Sequence, residues 1–158
     1  MRVGLRKVKR LNREIKFRAW NEHRKEMYYQ GKHFTEICLV HNEIKIVLDE
    51  TVKNNENWYR RKYELMQYTG LKDNNDKEIY EGDIVRVTYK KAAPKYKIQD
   101  RKVIFNDGAY WLTNSEGTSL TRLSNVSVLF DVISNVESLE VIGNIYENPE
   151  LLEVNKNE

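Results

Sequence analysis

Residues 65–85 read LMQYTGLKDNNDKEIYEGDIV, and the fold follows from how this stretch divides. Its first part continues YELMQYT, in which Tyr63, Leu65 and Gln67 oppose Met66 and Tyr68, the period of two expected of a strand. Lys72 to Glu78, KDNNDKE, is a cluster of turn formers. Gly82 and Asp83 then open IVRVTYK, where Ile84, Arg86 and Thr88 alternate with Val85, Val87 and Tyr89. Gly82 permits a tight approach before the strand, and Asp83 has the short carboxylate that bonds nearby backbone amides. The stretch therefore reads as strand, hydrated turn, strand. A calcium loop starting at Asp73 fails, because Lys77, Glu78 and Ile84 would occupy positions that need a ligand, a glycine and a bidentate carboxylate.

The same periodicity extends outward in both directions. EIKFRAW at 14–20 places Ile15, Phe17 and Ala19 on one face and Lys16 and Arg18 on the other, which predicts a half-buried strand. Met27-Tyr28-Tyr29 is strongly β-prone and follows a turn, so it should pair back as a hairpin. FTEICLV and EIKIVL, separated by His41-Asn42, predict a second hairpin, with Cys38 in its core. Asp49 to Asn57 reads as a surface loop. Downstream, KYKIQDRKVIF should give one or two strands, and Asn106-Asp107-Gly108-Ala109 is a tight-turn signal with AYWLTN as the return strand. Leu120 to Ile133 fits either helix or strand. SLEVIGNIY is a final strand, and Asn148-Pro149 predicts a short helical turn with Asn148 as its cap. Short strands at close spacing favour a small β-barrel.

Composition bounds the function. The 158 residues suffice for one domain or two small subdomains. Charged residues make up 32% and aromatic residues 11%, so the chain is polar yet has rings enough for a core. No apolar run approaches the roughly 18 residues that cross a bilayer, and no hydrophobic segment follows the basic N-terminus, which predicts a cytoplasmic protein without a membrane partner. The net charge of +3 conceals an asymmetry: Met1 to Arg13 holds six cations and no acid, whereas Asp131 to Glu158 holds seven acids against Lys156. Arms of this kind are interaction segments.

Catalysis needs convergent groups, and the sequence supplies few. His23, His33 and His41 match no ligand spacing, phosphate-binding and nucleophile-elbow motifs are missing, and a lone cysteine makes no thiolate zinc site. Glu78, Glu81 and Asp83 are close enough in sequence to form a carboxylate cluster, but acidic turns also accumulate for solubility. The expectation is a protein without enzymatic activity, metal or cofactor. Two binding modes are compatible with the surface. One is protein contact, above all self-association, with acidic tail against basic arm. The alternative is nucleic acid, contacted by Arg6, Lys7, Lys9, Arg10 and Arg13 of the arm, by Arg60 and Arg61 beside Trp58 and Tyr59, and by Lys90, Lys91, Lys95 and Lys97 interleaved with Tyr89 and Tyr96. Arg86, Arg101 and Lys102 extend that basic set.

Four stretches carry a resemblance: IKFRAW at 15–20 with Met27-Tyr28-Tyr29, the block at 65–85, NDGAYWL at 106–112, and VIGNIYENPELL at 141–152. Together they resemble the YopX family of bacteriophage and prophage proteins. The resemblance implies a phage- or prophage-encoded intracellular protein with an SH3-like β-barrel in its C-terminal half, and it implies no reaction. Residues 1–13 and 113–136 depart from the family pattern. The expected organisation is mainly β with minor α: a basic arm at 1–13, a β-rich region at 14–75, an SH3-like barrel at 76–152, and a frayed acidic tail at 153–158.

Overall fold

A computed structural model describes residues 14–40, 43–48, 63–90, 98–117, 120–123 and 136–153. The described residues are mostly antiparallel strand with almost no helix, in two main sheets and one separate hairpin. The first sheet runs β2-β1-β5-β6, from Glu26–Tyr29, Phe17–Asn21, Tyr63–Lys72 and Glu78–Tyr80. β3 (Phe34–Val40) and β4 (Glu43–Leu48) form the expected hairpin, its turn at His41-Asn42 outside the described residues. The second sheet runs β10-β9-β8-β7-β11. β7 is Asp83–Tyr89, β8 Ile98–Asn106, β9 Ala109–Thr113, β10 Leu120–Arg122 and β11 Val136–Asn144. It curls as a half-barrel, with register shifts in β11 where bulges bend that strand.

Alternation explains the core of the second sheet. Val85 and Val87 lie opposite Val141 and Leu139 on β11, and Val103 lies opposite Leu112 on β9; with Ile79 and Leu123 these fill the concave side. The described part of KYKIQDRKVIF, from Ile98 onward, lies in one strand, β8. Asp107 and Gly108 both take positive φ, 46° and 74°, the backbone of the tight hairpin turn their sequence predicts. Leu120 to Arg122 is strand, while 124–135 falls outside the described residues, as do the loop at 49–57, the arm, and the Cys38 side chain.

Three local expectations are corrected. β1 is buried on both faces, because it lies between β2 and β5 with Ala19 against Phe34 and Ile46 of the hairpin and with Arg18 and Trp20 against Asp83 and Tyr146: Arg18 is only 5% exposed, beside Ala19, Trp20 and Asn21. Ile15 lies before the strand and is exposed. Asn148 is the N-cap of the 3-10 turn Pro149–Leu152, as expected, but makes no side-chain capping bond to it; its side chain rests on Gly143, where an added Cβ would come 2.5 Å from Oδ1.

The third concerns 72–78, which is a turn with Asn74 to Lys77 exposed, as expected, but whose Asp73 is buried and acts as a clamp. Asp73 is 8% exposed. Its Oδ1 accepts the N–H groups of Asn75 and Lys77, at 2.8 and 2.9 Å, and its Oδ2 accepts that of Val141 at 2.9 Å. Asn74 exchanges two bonds with the Leu139 backbone. The β5–β6 turn thus covers the outer edge of β11, which would otherwise present unpaired backbone groups. Replacing Asp73 by Ala should destabilise the protein by about 2–4 kcal/mol, since three amides lose a charged acceptor. Urea unfolding checks this, and Asp73→Asn, which keeps one acceptor oxygen, should cost less.

Candidate functional site

The two sheets meet where the chain passes from β6 to β7. Gly82 donates its N–H to the Val103 carbonyl and accepts that of Ile145, so its backbone ties β8 to the segment after β11. Asp83 Oδ2 accepts the Tyr80 N–H at 2.7 Å, the turn bond expected of an aspartate after glycine. Its other oxygen lies 2.6 Å from Arg18 Nη2 of β1. That approach is a contact of opposite charges without hydrogen-bond alignment, and Arg18 Nε has no hydrogen-bond partner. Arg18 Nη2 also donates to the Glu81 carbonyl at 3.3 Å, and its guanidinium lies over the Tyr80 ring at 4.9 Å.

A second pair lies at the margin of the same junction. Lys16 Nζ donates to Glu78 Oε1 at 2.5 Å, and the Tyr80 hydroxyl donates to Glu78 Oε2 at 2.7 Å. The tilted Tyr68 and Tyr80 rings, 5.5 Å apart, form the apolar wall. The three acids read as a candidate cluster are therefore separated by function: Glu78 faces Lys16, Asp83 faces Arg18, and Glu81 contributes its carbonyl. No group of three or more histidine, cysteine or acidic residues suited to a metal occurs among the described residues.

Burial and charge act differently on the two acids. Burial pushes the Asp83 carboxyl above its usual range, more than Arg18 and the Tyr80 amide pull it down. An acid shifted this way opposes folding in its charged form, so the pair aligns the sheets rather than adding net stability. At Glu78 burial also pushes upward, but the bonds from Lys16 and Tyr80 together outweigh it and hold the carboxyl low. The bond to Glu78 raises Lys16 in turn. Burial, then the bond to Glu78, carries the Tyr80 phenol far above its ordinary value.

Two open grooves flank the first sheet. One, of about 390 Å³, runs between β5 and β8 over Leu65, Met66, Ile104, Phe105, Ile145 and Tyr146. Phe105 on its wall is 52% exposed and packs against Tyr110 at 5.1 Å. The other, of about 430 Å³, lies along β2 beside Tyr28, Tyr29 and His33.

Of the residues expected to contact nucleic acid, Lys90 is described and is exposed just beyond β7. Arg6, Lys7, Lys9, Arg10, Arg13, Arg60, Arg61, Lys91, Lys95 and Lys97 lie outside the described residues. In the wider basic set, Arg86 is held by Asp100 through two bonds of 2.8 and 2.9 Å, and Arg101 donates to Gln99. Sequence reasoning missed Arg18, whose signal was a cation inside an otherwise apolar strand preceding Trp20, and it missed the acid partner across the fold.

Two expected outcomes follow from this geometry. Arg18→Met or Asp83→Asn alone strands a buried charge and should cost about 3–5 kcal/mol in urea unfolding, whereas the double variant strands none and should recover most of that loss; additive costs would contradict the pairing. For Glu78, held below its usual value, the stabilisation is complete above pH 4.5 and is lost as pH falls through the lower folded value. Lys16→Met should flatten that acid limb of the stability profile.

Comparison with known proteins now adds a relationship. The family model described as YopX protein matches residues 16–153. Two solved structures are similar: protein EF1440 from Enterococcus faecalis, at 28% identity and TM-score 0.51, covering 88% of this chain and 98% of that one, and protein yopX from Bacillus subtilis, at 23% identity and TM-score 0.52, covering 87% and 97%. No curated protein matches. The second likeness speaks for the fold alone. No helix among the described residues is long and apolar enough to cross a membrane. The extent of the family match, which takes in both sheets and the junction between them, settles the relationship: the chain belongs to the YopX protein family.

Proposed function

We propose that this chain is a non-enzymatic accessory protein of a phage or prophage, working in the bacterial cytoplasm by surface contact with another protein or with a second copy of itself. The observation that carries the reading is the groove between β5 and β8, where Leu65, Met66, Ile104 and Phe105 stand among Glu64, Glu81 and Lys102 and the Phe105 wall is half open to water. An exposed aromatic ring beside a groove of mixed apolar and charged lining is of the kind found at protein-binding surfaces. The ionisable groups support the same reading. Glu78 faces Lys16 within the first sheet and Asp83 faces Arg18 across the junction, an arrangement suited to holding strands together and unlike two carboxylates set at a working separation about a substrate.

Nucleic acid is the second reading, favoured by one feature: the Arg122 guanidinium lies over the Trp111 ring at 5.5 Å on neighbouring strands β10 and β9, a basic and aromatic pair of the type that stacks on unpaired bases. Two variants separate the readings. At micromolar concentration the wild type should sediment heavier than one 18.9 kDa chain, and Phe105→Glu should return it to monomer mass while keeping its circular dichroism. A monomeric wild type, with a single-stranded DNA gel shift at low salt that Arg122→Ala weakens, would transfer the assignment to nucleic acid.

A further inference from the structure

The corner between β2 and β3 is built round one histidine. Tyr29, the last residue of β2, donates its N–H to His33 Nδ1 at 2.9 Å, and its carbonyl accepts the N–H groups of Lys32 and His33 at 3.2 and 2.8 Å. Gly31 donates to the Phe34 carbonyl at 2.8 Å, closing the turn. The imidazole stacks on Tyr28 at 5.5 Å and tilts against Tyr29 at 6.0 Å. A ring that accepts at Nδ1 is neutral, with its proton on Nε2; a second proton at Nδ1 would face the Tyr29 N–H and abolish the bond.

What this corner holds is the β3–β4 hairpin. Phe34 follows His33 directly and is fully buried with Ala19, Tyr28, Ile46 and Tyr63, and through Phe34 and Ile46 the hairpin docks on the first sheet. A two-stranded hairpin has marginal stability by itself, so its order depends on that docking. The groove of about 430 Å³ beside the ring gives protons access from solvent.

We propose that His33 is a pH-operated latch: its neutral ring holds the β2–β3 corner closed and the β3–β4 hairpin docked, and its protonation releases both. The charges facing the ring come from several elements. Arg24 and Lys25 lie in the β1–β2 turn, Glu26 on β2, Lys32 in the same corner, and Glu147 beyond β11. Burial, followed by Lys32, lowers the imidazole below its ordinary 6.5, and Glu26 opposes them. A histidine lowered in this way stabilises the docked state fully above pH 6.5, and that contribution disappears as pH falls through the folded value.

The test compares wild type with His33→Asn, whose Oδ1 can accept the same amide but does not titrate. Hydrogen exchange of the β3–β4 amides, corrected for intrinsic rates and referred to β1, should accelerate about tenfold in the wild type between about pH 7.5 and about pH 5, the loss expected for one hydrogen bond and its packing. His33→Asn should show no such change. An unchanged wild type, or equal acceleration in the variant, overturns the latch. A wild-type NMR titration gives an independent reading if the variant folds poorly: the Tyr29 amide resonance must move with the midpoint of the His33 ring, and a Tyr29 amide indifferent to that midpoint also overturns it.

Discussion

Everything in this fold depends on a buried arginine meeting a buried aspartate at the point where two sheets share a chain. Arg18 belongs to the first sheet and Asp83 opens the second, and both are removed from water, at 5% and 1% exposure. Desolvating two charges costs several kcal/mol for each, which their attraction offsets only when they stay together. The constraint is therefore one of geometry. Any movement of β1 relative to β7 separates the ions in a medium that cannot solvate them. Around this point the Tyr80 ring, the Glu81 carbonyl and the Gly82 backbone supply the polar contacts and the close approach that make the burial tolerable.

Among the described residues, several strand edges and ends are covered or kept short. The 73–77 turn bonds the outer edge of β11, the His33 corner covers the end of β2, and three-residue β10 ends the second sheet. Such covering limits unwanted edge pairing and moves the available binding surface to side chains. The groove between β5 and β8, proposed above as the contact surface, takes side chains from both sheets, and its shape depends on the same junction.

Much of the architecture was legible from the residues. Period-two alternation located β5 and β7, and Asp107-Gly108 named its own turn with β9 as the return strand, because strands with one wet face and turns with positive φ leave local marks. β1 did not fit that logic. Its alternation of Phe17 and Ala19 with Lys16 and Arg18 reads as a half-buried strand, yet Arg18 is inside, and nothing local to EIKFRAW reveals a carboxylate 65 positions onward. Asp73 was read as a hydrated turn residue for the same reason: its Val141 partner is a backbone amide, which carries no sequence signal. The surface was least legible of all. Lys90 is exposed as expected, but Arg86, in the same basic set, is neutralised across the strands by Asp100. Composition counts charges without pairing them.

The central claim is that the Arg18 and Asp83 pair makes two sheets into one cooperative unit. Its most direct measurement is equilibrium urea unfolding followed residue by residue with NMR, reading the Ala19 amide in β1 against the Val103 amide in β8. The account requires both amides of the wild type to disappear in a single transition at the same midpoint. Separate midpoints in the wild type, with one sheet persisting after the other has melted, would contradict it.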